Sequence, residues 1–378
     1  MEGLLNFCPV LDYVAGLADP GAFHLVDVGC SGGIDRPWRR LRRVLRAIGI
    51  DPDVGEIARL RCKEKHPGIT YLNAYAGIAA DHPFAIARSG KPELDRNPWS
   101  RLSTSRYMDL VYPKDRQVGE REKRSANLWS EARLADPHSP VIVPEYLKSN
   151  GINSLDFLKI DVDGKDFEIL QSFDRALTDL RVLGVGVEVR FWGSHEDTDG
   201  TFHNVDRFLK VHGFELFNLT VRRYCTSALP GRFSGRVPGA TEMGRVHQGD
   251  AMYARDLGSG LYDDFAKSLT AEKILNLAVI LALFDLPDCA AEVLVKFRAL
   301  LGERWDVERM LDLLTAQSEL DWVCRPGSYR RLMERFEQRP REFLGTKNPF
   351  PRMGRACRKG YLKWRGRMQL LRLEREGC

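Results

Sequence analysis

Three stretches of this chain combine acids and glycines at spacings that could do chemistry together. Leu155 to Leu170 reads LDFLKIDVDGKDFEIL, an apolar strand run that ends in Asp161, Asp163 and Gly164 and then opens into a helix. Leu25 to Gly33, LVDVGCSGG, is a second apolar run leading into a glycine turn. Ala47 to Asp53, AIGIDPD, ends a third strand in an acid roughly 20 residues after that turn, the spacing of a ribose contact in nucleotide-binding βαβ units. In open parallel sheets, ligands sit outside the carboxyl ends of the strands, so three such ends predict one crevice.

Each stretch has its own chemistry. Gly29 and Gly33 let the backbone turn sharply and approach a ligand that a β-carbon would obstruct. Asp27 is placed to brace that loop or to bond a ligand's amino group. The loop lacks the G-x-G-x-x-G order, and the chain has no G-x-x-x-x-G-K-[ST] stretch, which disfavours a pyrophosphate. A nucleoside ligand without one fits better; the competing reading is a plain strand-to-helix turn. Asp51 can accept hydrogen bonds from both ribose hydroxyls through its two carboxylate oxygens, or can serve only as a turn acid before Pro52.

The elements that must position these groups alternate in type. Strand patterns at His24–Val28, Ile48–Asp51, Ile69–Leu72, Phe157–Asp161 and Leu183–Glu188 are interleaved with helical patterns such as Trp38–Arg46 and Asp166–Leu177. This alternation predicts an α/β fold with a parallel sheet covered on both faces. Phe214–Leu219 and Ala251–Ala254 follow the helical pattern Asn204–His212 without a crossover helix between them, which predicts an antiparallel edge. From Ser89 to Pro140 no period is sustained, as expected of an insertion or lid, and Leu229–Gly244 has the same turn-rich character. From Thr270 the pattern is helical, with Leu275, Val279 and Leu283 on one face, Asp288 as the N-cap of a second helix, Gly302 as its stop and a further helix over Arg304–Leu320. These patterns divide the chain into residues 1–258 with an insertion at about 90–140, a helical domain over 259–345 and a basic tail over 346–378.

Composition narrows the class. The 378 residues are 43% hydrophobic, enough for a globular core. The eight cysteines are scattered, which fits neither a zinc pattern nor a compact disulfide framework and suggests reduced thiols. The start, MEGLLNFCPV, has no basic leader, and the longest apolar run, Ile274 to Phe284, is too short to span a bilayer. A cytoplasmic protein is expected, peripheral to a membrane at most. Net charge is +5, yet from Asp321 onward basic residues outnumber acids by about ten, so the end of the chain carries the positive charge.

Taken in order, LVDVGCSGG, AIGIDPD and VPEYLKSNGINSLDFLKIDVDGKDFEIL resemble the FkbM-type methyltransferases, whose sequences carry a D-x-G-x-x-x-G loop and a strand reading L-K-I-D-V-[ED]-G before an acidic helix start. The resemblance covers about Phe23 to Asp256. It implies a Rossmann-like class I methyltransferase sheet, S-adenosylmethionine as donor, and O-methylation of a hydroxyl, often on a sugar or a polyketide-like product. Carried over by position, it puts Asp27, Gly29, Ser31 and Gly33 in the methionine-side loop, Asp51 on the ribose and Asp161 beside the transferring methyl. Family members commonly have Asn where Ser31 stands and Glu where Asp51 and Asp163 stand.

Methyl transfer to a hydroxyl is an in-line displacement, helped by alignment and by a base within reach of the acceptor. Asp161, Glu188 and His195 are the candidate catalytic groups, with a plain exposed loop histidine the competing reading of His195. Asp163 either meets the substrate or braces the helix start. Lys159, two positions before Asp161 and on the same strand face, is expected to hold that carboxylate ionised. Glu188, Arg190 and His195 could bond the hydroxyls of a saccharide while Trp192 covers its apolar face. A divalent ion held by Asp161 and Glu188 ranks below plain acid–base assistance, because no third ligand is evident. The basic tail, with Tyr361 and Trp364 among its charges, suits an anionic membrane surface or a protein partner, with nucleic acid a weaker candidate. The competing functions are a nucleic-acid methyltransferase recruited by that tail and a scaffold that keeps the fold without turnover.

Overall fold

A computed structural model of the chain describes residues 8–17, 19, 22–89, 135, 139–162, 164–225, 229, 240–317 and 329–343. Asp163, nearly all of the expected insertion at 90–140, most of the 229–244 stretch, residues 318–320 and the basic tail lie outside the described residues. The first half contains α1 (Pro9–Leu17), β1 (Phe23–Val28), α2 (Arg36–Arg39), β2 (Leu45–Asp51), α3 (Val54–Lys63), β3 (Ile69–Asn73), α4 (Pro83–Arg88), α5 (Val143–Ser149), β4 (Phe157–Ile160), α6 (Asp166–Phe173) and α7 (Ala176–Asp179). It continues through β5 (Gly184–Arg190), α8 (Phe202–Val211), β6 (Glu215–Tyr224), β7 (Arg245–Ala254), α9 (Asp263–Ala266), α10 (Ala271–Leu283), α11 (Pro287–Lys296), α12 (Arg298–Gly302), α13 (Val307–Gln317) and α14 (Tyr329–Gln338).

The seven strands form one sheet in the order β3-β2-β1-β4-β5-β7-β6. The first five are parallel, and β7 runs antiparallel between β5 and β6, as the missing crossover helix implies. The order reverses at β1, so β1 and β4 flank the switch point where a ligand crevice opens. The sheet is Rossmann-like, mostly parallel with an antiparallel edge, and helices follow it at the C-terminal end.

Two apolar clusters cover the two sheet faces. One joins Phe23, Leu25, Leu45, Ala47, Phe157, Met252 and Ala254 to α1, α10, α11 and α13; the other joins Val26, Val28, Leu158, Ile160, Val185 and Val187 to α6 and α8. In α10 every residue from Lys273 to Leu283 is buried, as expected of a helix apolar on nearly all sides. The helical end of the chain therefore shares its core with the sheet. Trp38 contributes to the same core, its ring 4.9 Å from Phe157 and 6.3 Å from Phe284.

Several expected helices are cut short. The pattern Trp38–Arg46 yields only the single turn of α2, because Leu45 and Ala47 are drawn into β2, paired with Phe23 and Leu25, and the chain turns at Arg42 with φ 51°. Arg40 is buried and paired with Asp12 instead of facing solvent. The helix over Asp166–Leu177 breaks at Asp174, where φ is 24°. Asp288 lies in the first turn of α11, whose N-cap is Leu286, while Thr270 caps α10 by accepting from the Lys273 amide. Among the described residues no helix is long and apolar enough to cross a membrane.

Candidate functional site

Side chains alternate across a strand, so every second residue of a strand lies on the same face. On the face that packs against α10, β1 carries Phe23, Leu25 and Asp27, β2 carries Leu45, Ala47 and Asp51, and β4 carries Phe157 and Lys159. Across the antiparallel edge, Ala254 and Met252 are followed on the same face by Asp250 and Gln248, beside Glu188 and Arg190 of β5. The lower half of this face is apolar and covered by helices. The upper half, at the carboxyl ends of β1, β2, β4 and β5, is charged.

The ends of β1, β2 and β4 meet at Gly29. Its amide donates to the Ile50 carbonyl at 2.9 Å, and the Asp161 amide donates to the Val28 carbonyl at 2.9 Å. Gly29 has φ 84°, and a β-carbon there would stand 1.8 Å from the Asp161 carbonyl oxygen. No other residue fits. Gly33, at φ 85°, is closed in by Leu60 and the Tyr71 hydroxyl, which also takes part in a network with Arg39 and Glu64. The Gly32 amide is taken by Glu56 of α3 at 2.9 Å. A carboxylate therefore already occupies a loop amide that a phosphate would need, in keeping with the missing pyrophosphate signature.

Asp51 is nearly buried, and its Oδ1 accepts from the Asp53 amide at 2.9 Å. Burial raises its carboxyl above the usual range, opposed by that amide and by the Ser31 amide. Asp27 is 1% exposed: Lys159 donates to its Oδ1 at 2.9 Å, and its Oδ2 has no hydrogen-bond partner. Burial pushes the Asp27 carboxyl up to about 6 against the pull of Lys159. Lys159 lies 3.9 Å from Asp161, so its principal partner is Asp27 and not the expected Asp161. Burial works against the charge of Lys159, yet Asp27, Asp35 and Asp161 raise its pKa above the usual range. Asp161 is only partly buried, and burial still raises its carboxyl despite Lys159.

The bracing of the β4–α6 loop belongs to Asp166, which accepts from the Val162 amide at 3.0 Å and the Gly164 amide at 3.1 Å. Asp163, which the sequence offered either to the substrate or to the helix start, lies outside the described residues. On β5, Glu188 accepts from Arg222 at 2.6 Å and Gln248 at 3.1 Å, both on Oε1, while Arg222 also donates to Asp250 at 2.8 Å. Burial pushes Glu188 up to about 7 despite Arg222, with Asp161 and Asp166 adding to the rise. Asp161 and Asp166 are thus near enough to act electrostatically on Glu188.

The loop after β5 turns out differently from expectation. Arg190 donates to Asp199 at 3.0 Å and lies 4.8 Å over the Trp192 ring, so its guanidinium is already engaged. Trp192 is also 5.6 Å from the His247 ring, and its Nε1 is buried without a partner. His195 is exposed and makes no contact with Asp161 or Glu188 among the described residues. Arg222, Gln248 and Asp250 were missed; the available signal was the period-2 placement of polar residues in QGDAMYA at the parity of VEVR. Among the described residues, no group of three or more His, Cys, Asp or Glu side chains is arranged to hold a metal ion.

Residues 42–216 match the family model described as "Methyltransferase FkbM domain". The match runs from the turn before β2 to the first residues of β6, leaving the glycine loop and β7 outside it. Among solved structures, a putative rRNA-methylase from Clostridium thermocellum is 11% identical, with 65% of this chain and 92% of that chain covered at a TM-score of 0.27. A TehB-like SAM-dependent methyltransferase from Corynebacterium glutamicum is 11% identical, with 66% and 88% covered at a TM-score of 0.25. At these scores neither likeness bears on what this chain does. No curated protein matches the chain.

Proposed function

We propose, from the match of residues 42–216 to the model of an FkbM methyltransferase domain, that the protein is an S-adenosylmethionine-dependent O-methyltransferase acting on a hydroxyl of a saccharide or glycosylated product. The observation that carries the reading is the meeting of three strand ends at Gly29, with Asp51 on one side and Asp161 on the other. The residues fit the donor. The unpartnered, buried Asp27 Oδ2 would counter an amino group, the Gly29 to Gly33 backbone would make room for the methionine portion, and Asp51 would take the ribose hydroxyls.

When bound, the donor supplies a methyl carbon already activated by its attachment to a sulfonium. The chain's own task is to hold the acceptor oxygen in line and to accept its proton. Glu188 suits that second task best. Burial brings its carboxyl up to about 7, so it changes protonation state in the working range, whereas His195 is exposed. Asp161, partly open between the glycine loop and Glu188, lies where donor and acceptor would meet. The saccharide class is supported by the polar groups on the acceptor side and by the family's usual acceptors.

Calorimetry with S-adenosylmethionine and S-adenosylhomocysteine tests the donor site. Wild-type protein should bind both, and Asp51→Ala should weaken binding about ten- to a hundredfold, the worth of hydrogen bonds to a charged group. Unchanged affinity would remove Asp51 from the ribose site, and failure of the wild type to bind either compound would remove the donor itself. Transfer of a labelled methyl group to a saccharide panel, identified by product analysis, then tests the acceptor class.

A further inference from the structure

The antiparallel edge of the sheet carries more charge than packing requires. Glu188 of β5 faces Asp250 of β7 in the strand register, and Arg222 of β6 faces Gln248. Arg222 reaches diagonally, placing one terminal nitrogen 2.6 Å from Glu188 Oε1 and the other 2.8 Å from Asp250 Oδ2. The three side chains are only 18%, 16% and 6% exposed. Taking three charges out of water is costly, and apolar residues of similar size would often hold such strands as well or better. Such an arrangement points to a task beyond stability. Both donors on Glu188 use Oε1, so Oε2 takes part in neither bond. Arg222, Gln248 and Asp250 also lie beyond the span matched by the family model.

We propose that Arg222 is a positioning residue for Glu188: shared with Asp250, it anchors Glu188 through Oε1 and leaves Oε2 to take the proton of an acceptor hydroxyl. The inference rests on the methyl-transfer reading for the identity of that acceptor. In the step, the hydroxyl proton passes to Glu188 Oε2, the acceptor oxygen bonds to the methyl carbon, and the carbon–sulfur bond breaks with its electron pair left on sulfur. Sharing is the essential point. A guanidinium devoted to Glu188 alone would hold it ionised and weaken it as a base, whereas Asp250 draws off part of that charge.

The groups around Glu188 are Arg222 from β6, Asp250 and Gln248 from β7, Asp161 after β4, Asp166 at the start of α6 and Arg190 further along β5. The arrangement therefore predicts shifts of opposite sign. Arg222→Gln removes the attraction and should raise the pH at which Glu188 titrates, and Asp250→Asn removes a competing carboxylate and should lower it, each by about one pH unit. Arg222→Lys keeps the charge and should stay closer to the wild type than Arg222→Gln does.

The measurement is 13C NMR of the full chain labelled at glutamate side-chain carboxyls, with Glu188→Gln identifying the signal. The wild-type midpoint is expected near 7. Unmoved midpoints in both variants, or movement in the same direction, would overturn the proposal. Should Arg222→Gln not fold, Asp250→Asn alone decides, since no downward shift there overturns it as well. The titration needs neither donor nor acceptor. A chain that shows the opposite shifts but binds no S-adenosylmethionine would keep the Arg222–Glu188 coupling and lose the methyl-transfer reading.

Discussion

Two buried aspartate–lysine pairs stand at opposite ends of the β1–β4 pair, both at 2.9 Å: Asp156–Lys273 below and Asp27–Lys159 above. Their exposures are alike, yet their surroundings are not. Asp156 accepts from the His24 amide at 2.7 Å, from Lys273, and from Asn276 at 3.0 Å; Lys273 also donates to the Leu155 carbonyl and Asn276 to the Ala22 carbonyl. Both oxygens are used, and the cluster ties α10 to the sheet. Asp27 uses one oxygen and leaves the other without a partner. A buried orphan of this kind is rare and needs a reason. The lower pair is complete without a ligand, while the upper pair retains capacity for one.

The largest expected effect breaks the lower pair. Lys273→Met leaves Asp156 as a buried, uncompensated charge and should cost about 3–5 kcal/mol, read from urea unfolding. The protein that remains folded should bind S-adenosylmethionine within about twofold of the wild type, because Lys273 sits at the opposite end of the strands from Gly29. Breaking the upper pair should invert the pattern. Asp27→Asn leaves Lys159 with Asp161 and Asp35 as counter-charges, so stability should fall less than for Lys273→Met. Donor affinity should drop about ten- to a hundredfold by calorimetry. Equal losses of affinity in the two variants would erase the distinction between the pairs.

The five parallel strands were legible because each is short and mostly apolar, whereas β6 and β7 run to ten residues each and only part of each was expected; the acids at the ends of β1, β2 and β4 announced the crevice. Trp38, Leu41, Val44 and Leu45 misled: their spacing mimics a helix, but pairing of Leu45 with Phe23 claims that end for the sheet, an outcome set by tertiary structure. Lys159 could be placed on the right face from its spacing, though not with its right partner, since Asp27 is 132 positions away in the chain. Glu188 could be named from its strand end, but Arg222 and Gln248 lie 34 and 60 positions distant and become its neighbours only through an antiparallel edge. His195 looked useful by type and proximity in sequence. An exposed loop histidine was the competing reading, and the folded loop leaves His195 exposed.

The smallest effect is also the one that sharpens the comparison most. Burial lifts the Asp27 carboxyl to about 6 in the folded chain from 3.8 in the open one, so the native state retains a proton that the unfolded state has lost. Its contribution to stability is therefore full below pH 4 and fades as pH rises through 6, by about 1 kcal/mol between pH 5 and 7. Ionisation of the same carboxyl is what an amino group on the donor requires. Donor affinity should accordingly rise up to about tenfold over that interval while stability falls. Glu188 titrates close by, so the effect is read as the difference between wild type and Asp27→Asn, which should lose both slopes together. If the wild type and Asp27→Asn bind S-adenosylmethionine with the same pH dependence, the free oxygen of Asp27 is not the donor's partner, and the upper pair is as structural as the lower one.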